Sequence, residues 1–272
     1  MISIIICSQK AVITDEVRAN ITETIGCEFE LVDAGHSGGE CNIFETCNKG
    51  VACAKGEILC FMHDGVRFKS SDWGNVIRGH FHEDEQIGLI GLAGTHFLPD
   101  TPMCWCSSPF VARRFGESEI VEAVAVDGFC FFVRKSLFDQ IAFDEKTYKG
   151  SRLYDMDICM QVIEAGLKVC VCGDVQVEHG RMDNKQYSEQ EGESLLTDQQ
   201  LFVEKWKKDL PIWRGLDAVP DHSFMRVNGL YGQMHEAKRL RHTWAYRLGK
   251  VLLSPMNLFK SVFAPKNNTG ER

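Results

Sequence analysis

The sequence has no G-x-G-x-x-G after its first apolar run and no G-x-x-x-x-G-K-[ST] anywhere, so the dinucleotide-binding and P-loop readings lose their motif support. It has no long apolar stretch at its start either. The opening MISIIICSQK is a short apolar run without a basic flank, which reads as a first buried strand rather than a signal peptide or an anchor. Internal repeats and low-complexity tracts are also missing, which leaves an ordinary globular chain.

What is present supports that class. The chain has 272 residues, 44% hydrophobic and 25% charged, enough for one sizeable α/β core with an appendage. Twelve cysteines are scattered, several of them inside apolar strands (Cys7, Cys60, Cys170, Cys172), and a chain of this size needs no disulfide framework. A reduced, cytoplasmic protein is expected. Cys104-Trp105-Cys106 has no second pair at zinc-finger spacing, so these are better read as loop or core thiols than as metal ligands.

Apolar runs predict strands over Ile2–Cys7, Phe29–Asp33, Glu57–Met62 and Ile87–Ala93, with helices over Thr14–Ile25 and Asn42–Ala54 between the first three. That alternation argues for parallel βαβ units with right-handed crossovers. Further strands are expected over Ile120–Val126, Gly128–Val133 and Lys168–Val177, and helices from Lys135, over Tyr154–Ala165 and over Gln190–Lys208. The whole reads as an α/β domain over residues 1–210 and a C-terminal irregular and basic helical extension over 211–272. The stretch from Asn48 to Phe68 is the most informative, because its strand stops on His63 and Asp64. Open α/β sheets bind ligands at that end of their strands.

The order of features resembles family 2 glycosyltransferases with the GT-A fold, particularly the bacterial branch that decorates polysaccharides. The resemblance rests on Cys7-Ser8 ending the first strand, Val32-Asp33-Ala34-Gly35 ending the second, and the Asn48-x-Gly50-x-x-x-Ala54-x-Gly56 helix. Phe61-Met62-His63-Asp64, Val126-Asp127-Gly128-Phe129 and Tyr154-Asp155-x-Asp157 complete it. It implies a mostly parallel mixed central sheet flanked by helices. It also implies transfer of a sugar from a nucleotide donor, UDP- or dTDP-linked, to a glycan or lipid-linked glycan, with inversion. Ser8, Asp33, Asn48 and Asp64 then belong to donor binding, Asp33 at the nucleobase and Asp64 at a divalent cation, Mn²⁺ or Mg²⁺, against the pyrophosphate. A cation there would neutralise the charge developing on the leaving diphosphate.

The chain departs from that pattern at Gly65 and Tyr154, both standing where the family carries acids. His179, at a later strand end, could supply a second metal ligand. Asp155 is the candidate general base, and Asp127 with Gly128 the candidate acceptor loop. Simpler roles exist for each: Asp64-Gly65 and Asp127-Gly128 as turns, His179 as a hydrogen-bonded loop residue, Asp155 and Asp157 as favourable charges at a helix N-terminus. His63 is read as an orienting or packing residue and left outside the site. The rival function is a catalytically inactive sugar-nucleotide or glycan-binding protein on the same fold. A nucleotidyltransferase is weaker still, since the basic glycine-rich loop near the first strand is missing.

Charge is unevenly spread. Residues 236–272 hold eight Lys or Arg against two Glu, a net of +6, so residues 1–235 carry −14 of the overall −8. An amphipathic basic helix predicted over His235–Leu253 could lie on an anionic membrane surface or pack on the body. Nucleic acid is not among the expected partners.

Overall fold

The computed structural model describes residues 1–6, 13–32, 34, 42–98, 120–148, 152–179 and 189–214, the side chains of 189–193 excepted. Ser8, Asp33, the Cys104-Trp105-Cys106 loop and the basic helix lie outside the described residues.

The first half alternates β1 (Ile2–Ile6), α1 (Asp15–Thr24), β2 (Phe29–Val32), α2 (Ile43–Cys53) and β3 (Ile58–Met62). The helix starts are set by their caps. Thr14 Oγ1 accepts from the Val17 amide and Asn42 Oδ1 from the Phe44 amide, each satisfying an amide that lacks a partner within its helix. After β3 come a short β4 (Val66–Phe68), α3 (Trp73–Glu83), β5 (Ile87–Gly91) and the two-residue β6 (Gly94–Thr95) and β7 (Phe97–Leu98). The second half supplies β8 (Ile120–Ala123), β9 (Ala125–Val126), β10 (Cys130–Arg134), α4 (Tyr154–Glu164), β11 (Lys168–Cys172), β12 (Val177–His179), α5 (Glu189–Trp206) and β13 (Ile212–Trp213).

Seven strands form one sheet in the order β2-β1-β3-β10-β5-β11-β8. Five run in one direction. β10 lies antiparallel between β3 and β5, and β8 closes the edge antiparallel to β11. The expected mostly parallel mixed sheet is therefore the observed one.

The strands read as unbroken apolar runs because both faces are covered. Strand alternation divides them: Ile2, Ile4, Ile58, Cys60, Phe132 and Cys170 face the α1 and α3 side, while Ile5, Leu59, Phe61, Phe131 and Val171 face the side of α2, α4 and α5. α4 stops at Gly166, whose φ of +81° lets the Leu167 amide reach back to the Val162 carbonyl at 3.1 Å.

Several features differ from the sequence reading: the helix expected from Lys135 is a five-residue 3-10 turn, Lys135–Asp139, and the strand expected over Ile120–Val126 breaks at Val124. α3 was not expected, because Gly74 and Gly79 depress its helix propensity, yet Trp73, Ile77, His80 and Phe81 form a buried stripe at helical spacing. The strand expected over Lys168–Val177 breaks after Cys172, and its second piece pairs antiparallel with β4. Residues 212–213 pair with β7, so the predicted extension begins in contact with the sheet domain.

Candidate active site

The parallel strands and the start of β10 bring their loops to one edge of the sheet, where Asp64, Asp127, Gly128, Asp155 and His179 collect. His63 follows β3 directly, and its amide donates to the Phe129 carbonyl at 2.8 Å. Its Nε2 lies 3.1 Å from the hydroxyl of Tyr154, which lies 2.8 Å from the Gly128 carbonyl. A carbonyl can only accept, so the single phenol proton goes to Gly128 and the Tyr154 oxygen accepts from the imidazole. His63 therefore carries a proton on Nε2. Burial, and then the nearby His179, hold its pKa below the ordinary imidazole value.

Tyr154 and Asp155 open α4 from an unusual start. The preceding Leu153 is left-handed, with φ of 64°, and is buried, a conformation that a branched apolar residue adopts only when its surroundings enforce it. Asp155 Oδ2 accepts from the Gly128 amide at 2.7 Å and Oδ1 from the Met156 amide at 2.9 Å. Residue 128 has no room for a side chain. A Cβ there would fall 2.5 Å from the Tyr154 hydroxyl and 2.9 Å from Asp155 Oδ2. Gly128 thus holds both residues by close backbone approach.

The Asp155 carboxyl is densely surrounded by protein although the residue keeps partial solvent contact. Burial and the negative charge of Asp127 push its pKa up to about 7, against the lowering effect of its amide donors. A carboxylate poised near neutrality can take a proton from a hydroxyl brought within hydrogen-bond reach. Asp127 sits in the turn before β10, its Oδ1 accepting from the Phe129 amide at 3.1 Å.

His179 ends β12 and stacks on Phe129, with ring centroids 5.3 Å apart, and lies 5.6 Å from the His63 ring. Asp64 follows His63, its carbonyl held by Arg67 Nη1 at 2.8 Å. Asp64 and His179 offer a carboxylate and an imidazole, a donor set that suits Mn²⁺ better than Mg²⁺. They do not form a three-ligand cage among the described residues. Two protein ligands completed by phosphate oxygens and water are the usual arrangement for a cation bound together with a nucleotide.

Two other residues stand apart. The Asn48 amide is engaged by the 143–145 loop: its Nδ2 donates to the Phe143 carbonyl and to Glu145 Oε2, both at 2.9 Å, and its Oδ1 accepts from the Phe143 amide at 3.1 Å. Asp157, 1% exposed, accepts from Trp206 Nε1 at 2.9 Å and Tyr148 Oη at 3.2 Å and pairs with Lys205 Nζ at 2.9 Å. It anchors α5 to α4. His63 and Tyr154 are the residues that sequence reasoning left out of the cluster; the signal available was that His63 continues the strand alternation of Leu59 and Phe61.

A sequence model described as a glycosyltransferase-like family matches residues 3–205. Among curated proteins none matches the chain. Among solved structures, A197 from STIV is similar at 9% identity and a TM-score of 0.42, covering 66% of this chain and 86% of that one. GalNAc-T7, crystallised with UDP, GalNAc and Mn²⁺, is similar at 12% identity and a TM-score of 0.46, covering 75% of this chain and 43% of that one.

Proposed function

The chain belongs to a glycosyltransferase-like family, and from that premise we propose an inverting transfer of a sugar from a UDP- or dTDP-sugar to a glycan or lipid-linked glycan, with Asp155 as the base. The observation that carries this reading is the Asp155 carboxyl, raised to about 7 at the strand edge and fixed by the Gly128 amide. The acceptor hydroxyl oxygen attacks the anomeric carbon, its proton passes to Asp155, and the bond from that carbon to the nucleotide diphosphate breaks on the opposite face. General-base catalysis of this kind contributes ~10²–10⁴-fold. His63, Tyr154 and Gly128 keep the carboxyl in one position while the acceptor approaches. Asp127, whose charge acts on Asp155, would accept from sugar hydroxyls. A divalent cation held by Asp64 and His179 would supply charge neutralisation to the departing diphosphate. On this reading Ser8 and Asp33 remain assigned to the nucleotide.

A hydrolysis screen across sugar nucleotides, with and without Mn²⁺, tests this without knowledge of the acceptor. Turnover of one donor that is lost in Asp64→Ala, together with the Mn²⁺-dependent part of UDP affinity in calorimetric titration, is the expected result. UDP binding without turnover of any donor would favour the non-catalytic binding protein, which Gly65 and Tyr154 in place of acids also favour.

No helix among the described residues is long and apolar enough to cross a membrane. The +6 segment supports a further part of the proposal, a cytoplasmic enzyme attracted to anionic bilayers, at ~1 kcal/mol per basic residue near the surface. Full-length protein should sediment with anionic liposomes at low salt, and a truncation after Gln233 should not.

A further inference from the structure

On the opposite face of the sheet from Tyr154, three side chains of different ligand chemistry converge. His80 lies on the buried side of α3, Cys172 is the last residue of β11, and Asp174 sits in the turn to β12. Their ligand atoms all lie within 4.8 Å of one another, and no other group of three such residues meets that test among the described residues. His80 Nε2 is 2.9 Å and Cys172 Sγ 4.0 Å from the same oxygen, Asp174 Oδ2. We infer that this is a zinc site, separate from the strand-edge cluster, that ties the β11–β12 turn to α3.

Nitrogen, sulfur and oxygen donors together select Zn²⁺ over the oxygen-preferring Mg²⁺, and three protein ligands leave a fourth position for water. Zn–N and Zn–O distances of ~2.0–2.2 Å and Zn–S of ~2.3 Å place tetrahedral ligand atoms roughly 3.3–3.6 Å apart. The observed 2.9 and 4.0 Å lie within about half an ångström of that spacing, and the third pair, His80 and Cys172, is no farther apart than 4.8 Å. The approach is built as well. The His80 side chain is 9% exposed while that of Asp174 is 32% exposed, so an ion can enter from the Asp174 side. The turn that presents Asp174 is braced, since the Asp174 carbonyl accepts from Ser70 Oγ at 3.4 Å and Ser70 Oγ accepts from the Gln176 amide at 2.8 Å. β12, which this turn feeds, carries His179, so the ion would steady one wall of the active site without entering it.

The alternative is a plain His80–Asp174 ion pair beside a buried thiol. Cobalt titration of the EDTA-treated, reduced protein separates the two. One equivalent of Co²⁺ should bind with thiolate-to-cobalt absorption in the near ultraviolet and with intense tetrahedral bands in the visible, and Zn²⁺ should displace it. Asp64→Ala should leave these bands intact. Cys172→Ala should remove them, and Asp174→Asn, at an exposed position, should weaken binding at least tenfold. Absence of the bands in the wild-type protein overturns the proposal. So do bands that survive Cys172→Ala, which would place the ion on another of the twelve cysteines, and so does full affinity in Asp174→Asn.

Discussion

Asp155 and Asp157 lie two residues apart in the first turn of α4, yet the two regions they serve treat charge in opposite ways. The Asp157 carboxylate is held by a cation and several hydrogen-bond donors. It receives Lys205, Trp206, Tyr148 and Gln161, and the same Lys205 ammonium reaches Asp144 Oδ2 at 2.8 Å. Burial alone would raise the Asp144 pKa, but Lys205 and the Thr147 donors override it and bring it down to about 2. Around Asp155 the strongest influences are burial and a second carboxylate, Asp127, and the pKa rises to about 7. A paired carboxylate holds a fold together, whereas a carboxylate kept from its usual pKa beside a ligand-binding edge is available for proton transfer.

The contrast is sharpest in Asp155→Asn. Turnover of a supported donor should fall ~10²–10⁴-fold while donor affinity is retained. Stability should depend on pH. The folded-state pKa of Asp155 lies above the unfolded value, so the protonated form is the one that folding favours, and its contribution is lost as pH rises toward and through about 7. The asparagine variant gives up one of the two amide-accepting oxygens, so its Tm relative to wild type should be lower at pH 5 and should improve at pH 8, where the wild-type carboxylate is charged. A variant destabilised equally at both pH values would break the comparison by making Asp155 a structural residue.

Asp157→Ala should do the reverse. Removing one partner of a buried pair costs about 3–5 kcal/mol, visible as a lowered urea midpoint, while turnover per folded molecule at low temperature stays near wild type. Loss of turnover without loss of stability would erase the distinction between the two aspartates.

Smaller effects sharpen it. Gly128→Ala introduces a methyl 2.5 Å from the Tyr154 hydroxyl, and overpacking of this kind costs about 1–3 kcal/mol. Turnover should drop by more than the melting temperature implies, because Tyr154 and the Asp155 carboxyl itself must move. Tyr154→Phe removes only the hydroxyl and its hydrogen bonds, worth about 0.5–1.5 kcal/mol each, and should reduce kcat several-fold with KM for the donor unchanged.

Much of the fold was legible in the sequence because it is local. β1, β2, β3 and β5 are short apolar runs, α1 and α2 carry side-chain caps at Thr14 and Asn42, and α4 ends at a glycine, so each element announces itself within a dozen residues. The insertion of β10 between β3 and β5 is a long-range pairing that no local pattern encodes. The sequence reading already named Asp155 rather than Asp157 as the candidate base, but the partners that hold Asp157 were hidden for the same reason. Both aspartates suit a helix N-terminus, and what separates them is Lys205 and Trp206, arriving from α5 some 48 residues later. His63 was passed over because its partner Tyr154 is 91 residues away, and Asn48 was grouped with the nucleotide although the 143–145 loop occupies its amide.

The most direct test is the pH dependence of kcat/KM for donor hydrolysis between pH 5 and 9, measured on the sugar nucleotide that the screen identifies. A base whose pKa is raised to about 7 must lose its proton to act. The rate should therefore fall tenfold per pH unit below about 7 and level off above it. A rate that stays flat down to pH 5 would mean that the titrating carboxyl of Asp155 is not the base, and would contradict the account.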